Sequence, residues 1–181
     1  MAANLFSEIE YLKGVGKAKG EKYRKLGITS PYDLLYHIPA DMKFFKETTT
    51  GNTVVMGRAT FMTFPGPRAL PNRKNIVLTT DKSWSAPDVT VCHSVEELLD
   101  LLEGCDSDSV FVIGGSMVYE QLLPYCNIAY VTKVDSAKPA DKFFPDLDKS
   151  DEWEIENEGD KSEHNGVEFR FVTYKRLKGG V

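Results

Sequence analysis

The sequence predicts an α/β domain with a mixed, mostly parallel sheet and flanking helices, preceded by a small helical segment. Three observations carry this. Between residues 53 and 134, short β-branched runs alternate with helix-patterned stretches, as in strand–helix–strand units. Toward its end the chain carries two long alternating runs, EWEIENEG and VEFRFVTYKRL, around Asn165–Gly166, which read as an antiparallel pair. Over residues 1–38 the apolar positions recur only at helical spacing.

In chain order, Leu5, Ile9 and Leu12 mark a first amphipathic helix. A turn at Gly14–Gly16 leads to a second helix ending near Gly27. Ser30 and Pro31 start a third, the serine as cap and the proline in the first turn. PADMKFFKETT is the next helix. Strands are expected at TVVM (53–56), NIVLTT (75–80), VTVC (89–92), VFVI (110–113) and IAYVTKV (128–134). With the two terminal runs they make seven. Helices begin near Arg58, at Ser94 and at Ser116; Ser94 and Glu97 form a capping box, and Gly104 closes that helix. The division expected is a helical unit over residues 1–38 and the α/β body over residues 39–181.

The bulk numbers narrow the function classes. At 181 residues, 41% hydrophobic and 27% charged, the chain has the composition of an ordinary globular domain. No apolar run approaches the ~20 residues that span a bilayer, so no membrane partner is expected. Three scattered cysteines and three scattered histidines predict free thiols in a reducing cytoplasm and no metal. Net charge is −5, split as +2 over residues 1–38 and −7 over the rest. That excludes wholesale nucleic-acid binding and leaves one local candidate. Lys17 and Lys19, just past Gly14–Gly16, suit a phosphodiester backbone as well as a solvated helix face.

Several residues are placed to do chemistry. Asp41 falls in the first turn of its helix with Phe45 one turn further along the same face. A carboxylate beside aromatic surface suits a cationic or amidine-like ligand or proton delivery; an acid there also simply complements the helix dipole. VVMGRAT places Gly57, Arg58 and Thr60 where a strand turns into a helix, and VFVIGGSMVYEQ does the same with Gly114, Gly115 and Ser116. Such turns suit a phosphate and let a ligand approach the backbone, although glycine is also common punctuation there. With LTT ending a third strand, they suggest a nucleotide across the carboxyl ends of the strands. Arg73, after a proline- and glycine-rich loop, is either solvated or a bidentate partner for a carboxylate.

Residues 39–177 resemble dihydrofolate reductases through IPADMKFFKETT, TVVMGRATF, LPNRKNIVLTT, VFVIGGSMVYEQLLP, YVTKVD and ADKFFPDL. The resemblance implies NADPH-dependent reduction of 7,8-dihydrofolate to tetrahydrofolate. It implies that Asp41 grips the pterin's 2-amino group and N3 and favours the proton needed at N5. Phe45 would pack on the pterin and benzoyl rings, Phe64 and Leu70 would line the same cleft, and Arg73 would hold the glutamate α-carboxylate. Thr132 would hydrogen-bond near Asp41. For NADPH, Gly57, Arg58 and Thr60 would line the pyrophosphate and adenosine side, with Thr79 and Thr80 near the 2′-phosphate. Gly114, Gly115, Ser116 and Met117 would form the second phosphate turn, with Tyr119 beside the nicotinamide. Met117 stands where some relatives use arginine.

The family also begins with an apolar strand and a closing glycine loop, and residues 1–38 match neither. They resemble the start of the ATP-dependent DNA helicase RecG, through LFSEIEYLKGVG and KLGITSPYDLLYHIP, without helicase motor motifs. DLLYHIP suits both patterns, which implies a chimera joined there, with Tyr36 where the reductases place tryptophan. A sheet deprived of an internal strand loses buried side chains worth about 1.5–3 kcal/mol each and exposes two edges. Two expectations follow: a reductase with impaired activity, or a non-catalytic chimera with a nucleotide-binding body and a DNA-contacting appendage.

Overall fold

The computed structural model describes residues 38–64, 66–135, 143–164 and 166–177. The helices expected before residue 38, with Lys17, Lys19 and Tyr36, lie outside the described residues.

Helix α1 (Pro39–Thr49) starts with proline in its first turn, where the missing N–H costs nothing. Strand β1 (Thr53–Gly57) follows, then α2 (Arg58–Thr63), β2 (Lys74–Leu78) and β3 (Val89–Cys92). Helix α3 (Val95–Leu102) leads to β4 (Val110–Val112), α4 (Ser116–Leu122) and β5 (Ile128–Val134). The chain ends in β6 (Trp153–Glu158), β7 (Ser162–His164) and β8 (Val167–Arg176).

Local chemistry accounts for the boundaries. The Ser94 hydroxyl accepts the Glu97 N–H at 3.1 Å. The Glu97 carboxylate reaches back to the His93 N–H at 2.6 Å, one residue before the cap. Gly104 at φ +78° turns the chain out of α3, as expected.

The described strands lie in two sheets, which carry the parallel and the antiparallel parts of the mixed α/β arrangement expected. One is parallel, in the order β3-β2-β1-β4; the other is antiparallel, with β8 between β5 and β6 and also pairing β7. Among the described residues, no strand joins β4 to β5. The strand count among the described residues also differs: a short strand β7, just past the first terminal run, pairs with β8. Within β6 the register against β8 shifts between Ile155 and Asn157, and such a bulge bends the strand that carries it. Strand β2 stops at Leu78, so Thr79 and Thr80 lie past its end.

Each sheet has its own core. Val55, Ile76, Cys92, Leu98, Val118 and Leu122 bury one face of the parallel sheet under α3 and α4. Val54, Met56, Phe61 and Val77 bury the other under α2. These strands are apolar on both faces, as a parallel sheet covered on both sides requires. Ala129, Leu147, Trp153, Val172 and Tyr174 form the core of the antiparallel sheet.

Two helices tie the sheets together. On α1, Phe44 packs on Tyr130 of β5 and Phe171 of β8, with ring centroids 5.4 and 5.6 Å apart. The same helix is held to the loop before β2 by Arg73. From α4, Leu122 enters the parallel-sheet core while Leu123 just beyond packs on the antiparallel one.

Candidate active site

Two of the predicted site residues, far apart in the chain, meet where α1 packs on β5. Asp41 projects from the first turn of α1, and its Oδ1 accepts the Thr132 hydroxyl at 2.6 Å. The two residues lie on different elements, α1 and β5, so this contact exists only once α1 is seated on the antiparallel sheet. Tyr119, on α4, completes the group. Burial pushes its hydroxyl pKa up, and the nearby Asp41 charge and Cys126 push it further. Its ring stands edge-on to Phe144 at 5.0 Å.

Phe45 is half-buried one turn along from Asp41 and lies under the Arg73 guanidinium, 5.8 Å from Cζ to ring centroid. Three of the Arg73 nitrogens are engaged. Nε donates to Thr49 Oγ1 at 2.8 Å, Nη1 to Pro71 O at 2.8 Å and Nη2 to Lys46 O at 3.3 Å. Each terminal nitrogen carries a second proton, so two donors remain beyond these three bonds. Sequence reading missed the residue that shapes this loop. Asn75 is buried, and its side chain bonds both the N–H and carbonyl of Leu70 and the carbonyl of Arg73. An asparagine within an otherwise apolar strand was the available signal.

A second group of predicted residues is built on three neighbouring strand ends. Strand β1 lies between β2 and β4, so Gly57–Arg58, Thr79–Thr80 and Gly114–Gly115 come together at the carboxyl ends of these strands. The Gly57 N–H donates to Gly114 O at 2.8 Å, and the Gly114–Gly115 peptide is cis. Close packing accounts for the glycines. A Cβ on Gly57 would meet Val118 at 3.0 Å, one on Gly115 would meet Thr60 Oγ1 at 3.2 Å, and Gly114 sits at φ +117° against the Tyr119 ring. They let α4 and Thr60 close on the strand ends, whereas the sequence suggested room for a ligand against the backbone.

The remaining predicted residues disperse. Phe64 and Leu70 are half-buried against the core beneath α2. Met117 is 67% exposed. The Arg58 guanidinium pairs with Asp81, Nη1 to Oδ2 at 2.7 Å. Ser116 opens α4. A cavity of about 230 Å³ lies instead between the end of β5 and the start of β8, lined by Lys133, Asp135, Lys161, Glu168 and Arg170. It contains none of the predicted site residues, and its Lys161 and Glu168 pair with each other at 2.8 Å, so we assign it no chemistry. Among the described residues, no cluster of histidine, cysteine and carboxylate side chains is arranged to hold a metal, and no helix is long and apolar enough to cross a membrane.

The dihydrofolate reductase family model matches residues 22–176 and so reaches across the boundary expected between residues 38 and 39. A dihydrofolate reductase of Bacillus subtilis is 37% identical over 146 residues, covering 80% of this chain and 84% of that protein. One of Staphylococcus haemolyticus is 35% identical over 156 residues, covering 86% and 92%. Among solved structures, a dihydrofolate reductase from Enterococcus faecalis complexed with NADP(H) and RAB-propyl superposes with a TM-score of 0.69. It is 42% identical, and the match covers 79% of this chain and 84% of that one.

Proposed function

Because the chain belongs to the dihydrofolate reductase family, we propose that it reduces 7,8-dihydrofolate to tetrahydrofolate with NADPH, using Asp41 as its acid. The observation that carries this reading is the Asp41–Thr132 hydrogen bond. It fixes a carboxylate where α1 packs on β5, with one oxygen held and the other available to paired N–H donors, such as those of an aminopyrimidine-like ring. Tyr119, its hydroxyl kept protonated by burial and the Asp41 charge, closes the same space from the cofactor side.

The chain's residues divide the work by position. Asp41 holds the pterin and keeps a negative charge near the ring nitrogen that gains a proton. Phe45 offers a flat apolar surface to the rings, and the remaining Arg73 donors take a carboxylate of the glutamate tail. Phe64 and Leu70 extend the apolar wall. On the other side, Gly57, Arg58, Thr60, Thr79 and Thr80 would hold the adenosine end of NADPH. Gly114, Gly115, Ser116 and Met117 would hold its pyrophosphate. The three adjoining strand ends and the Arg58 charge fit such a group. When bound, NADPH supplies the hydride, from nicotinamide C4 to pterin C6. The protein's contribution is then to orient and to exclude water.

The division at residue 38, the helicase-like origin of residues 1–38 and contact of Lys17 and Lys19 with nucleic acid belong to this reading as proposals. They rest on sequence alone. So does a cytoplasmic location, supported by three free thiols. No observation favours a non-catalytic chimera.

The test is NADPH titration of the purified protein, followed by absorbance decay on adding dihydrofolate. Turnover is expected, and Asp41→Asn should lower it by about 10²- to 10⁴-fold. Turnover that survives this substitution would remove Asp41 from the role proposed.

A further inference from the structure

Asp81, two residues beyond the Thr79–Thr80 end of β2, is an acid at the edge of a site expected to receive a phosphate. Its carboxylate is held from both sides. Oδ1 accepts the Ser83 N–H at 3.0 Å and the Ser83 hydroxyl at 2.6 Å, while Oδ2 takes Arg58 Nη1 at 2.7 Å. Its own N–H donates to Thr79 Oγ1 at 3.3 Å. Trp84 packs on the guanidinium of Arg58, 5.7 Å from Cζ to the ring centroid, and on Phe61 of the core, 5.5 Å between centroids. The turn Asp81–Trp84 is therefore a rigid bracket around Arg58. The bonds from Ser83 and then from Arg58 hold the Asp81 carboxyl below the usual carboxylate range, so it is charged at neutral pH.

From this geometry we infer that Asp81 sets the selectivity between NADPH and NADH, by sharing the Arg58 guanidinium with the cofactor's 2′-phosphate. The two dinucleotides differ only in that phosphate, a group carrying nearly two negative charges at neutral pH. Arg58 is the cation that the strand ends present to it. The fixed carboxylate cancels most of the field of Arg58 at the phosphate position. It leaves the guanidinium oriented but the local charge close to neutral, which reduces the advantage of the phosphorylated cofactor. An unphosphorylated ribose is indifferent to that charge. The inference rests on the functional reading above, because it requires the adenosine end of the cofactor to lie beside Arg58 and Thr79.

The experiment measures dissociation constants of NADPH and NADH for the full chain by quenching of tryptophan fluorescence. Wild type, Asp81→Asn and Asp81→Ala are compared at low and high salt. Asparagine keeps the shape of the bracket and removes the charge; alanine removes both. With either variant, NADPH should bind about fivefold to tenfold more tightly at low salt, while NADH changes by less than about twofold. The gain should shrink near 1 M salt, where screening acts within about 3 Å. Equal changes for both cofactors, an unmoved ratio, or weaker NADPH binding in Asp81→Asn would overturn the inference; the last would make Asp81 a positioning residue for Arg58. Wild-type protein that binds neither cofactor would overturn the functional reading itself, and this inference with it.

Discussion

At the scale of single residues, position in a pair decides role. Asp41 taken alone is an acid in the first turn of a helix, which any helix dipole welcomes. The Thr132 hydroxyl at 2.6 Å makes it an oriented acceptor. A hydrogen bond to a charged group contributes about 1.5–3 kcal/mol, so Thr132→Val should lower kcat/KM by about 10- to 100-fold while the fold persists. Steady-state kinetics beside a circular dichroism spectrum will check this. Arg73 was legible as a carboxylate partner, but its sequence context left it equally a solvated charge. In the structure three bonds to Lys46, Thr49 and Pro71 hold its guanidinium, on a loop tied down by Asn75. Asp81 escaped sequence reading because its importance lies in facing Arg58, 23 residues away.

Among the elements, the glycines show how a motif can be located correctly for an incomplete reason. Both strand-to-helix turns stand where the sequence placed them, yet Gly57 and Gly115 are there because α4 and Thr60 pack against them. Gly57→Ala would drive its Cβ to 3.0 Å from Val118. Overpacking of this kind costs about 1–3 kcal/mol. The variant should unfold at a lower urea concentration and, because α4 carries Tyr119, should also bind NADPH more weakly. Unchanged unfolding in urea would show that Val118 moves aside freely. Helix limits were read closely wherever a cap or glycine marks them, as at Ser94 and Gly104. Strand β7 had no such mark, because its three residues, Ser162–His164, carry no apolar alternation.

For the molecule as a whole, two sheets joined through α1 and α4 make the site a matter of their mutual placement. Part of its stability against acid comes from the antiparallel half. Asp148 accepts Lys133 Nζ at 2.7 Å and the Tyr174 hydroxyl at 2.6 Å; the Lys133 bond first and the Tyr174 bond next hold its carboxyl below the usual range. A carboxylate with a depressed native pKa contributes stability that is present above its unfolded value, about 4, and is lost as the pH falls through the native value. Urea unfolding between about pH 6 and pH 3 should therefore show a smaller acid-induced loss in Asp148→Asn than in wild type. An equal loss in both proteins would exclude Asp148 as a source of acid sensitivity.

The sequence by itself determined the α/β class of the body, the order of most of its strands and helices and, through its motifs, a resemblance to the family. All of these rest on local periodicity, caps and short motifs that a linear chain records directly. Only the tertiary structure decided that the described strands divide into two sheets and that Arg58 is bracketed by Asp81 and Trp84. Each of these is a contact between segments far apart in the chain, and such contacts are set by how whole elements pack, which no local pattern contains.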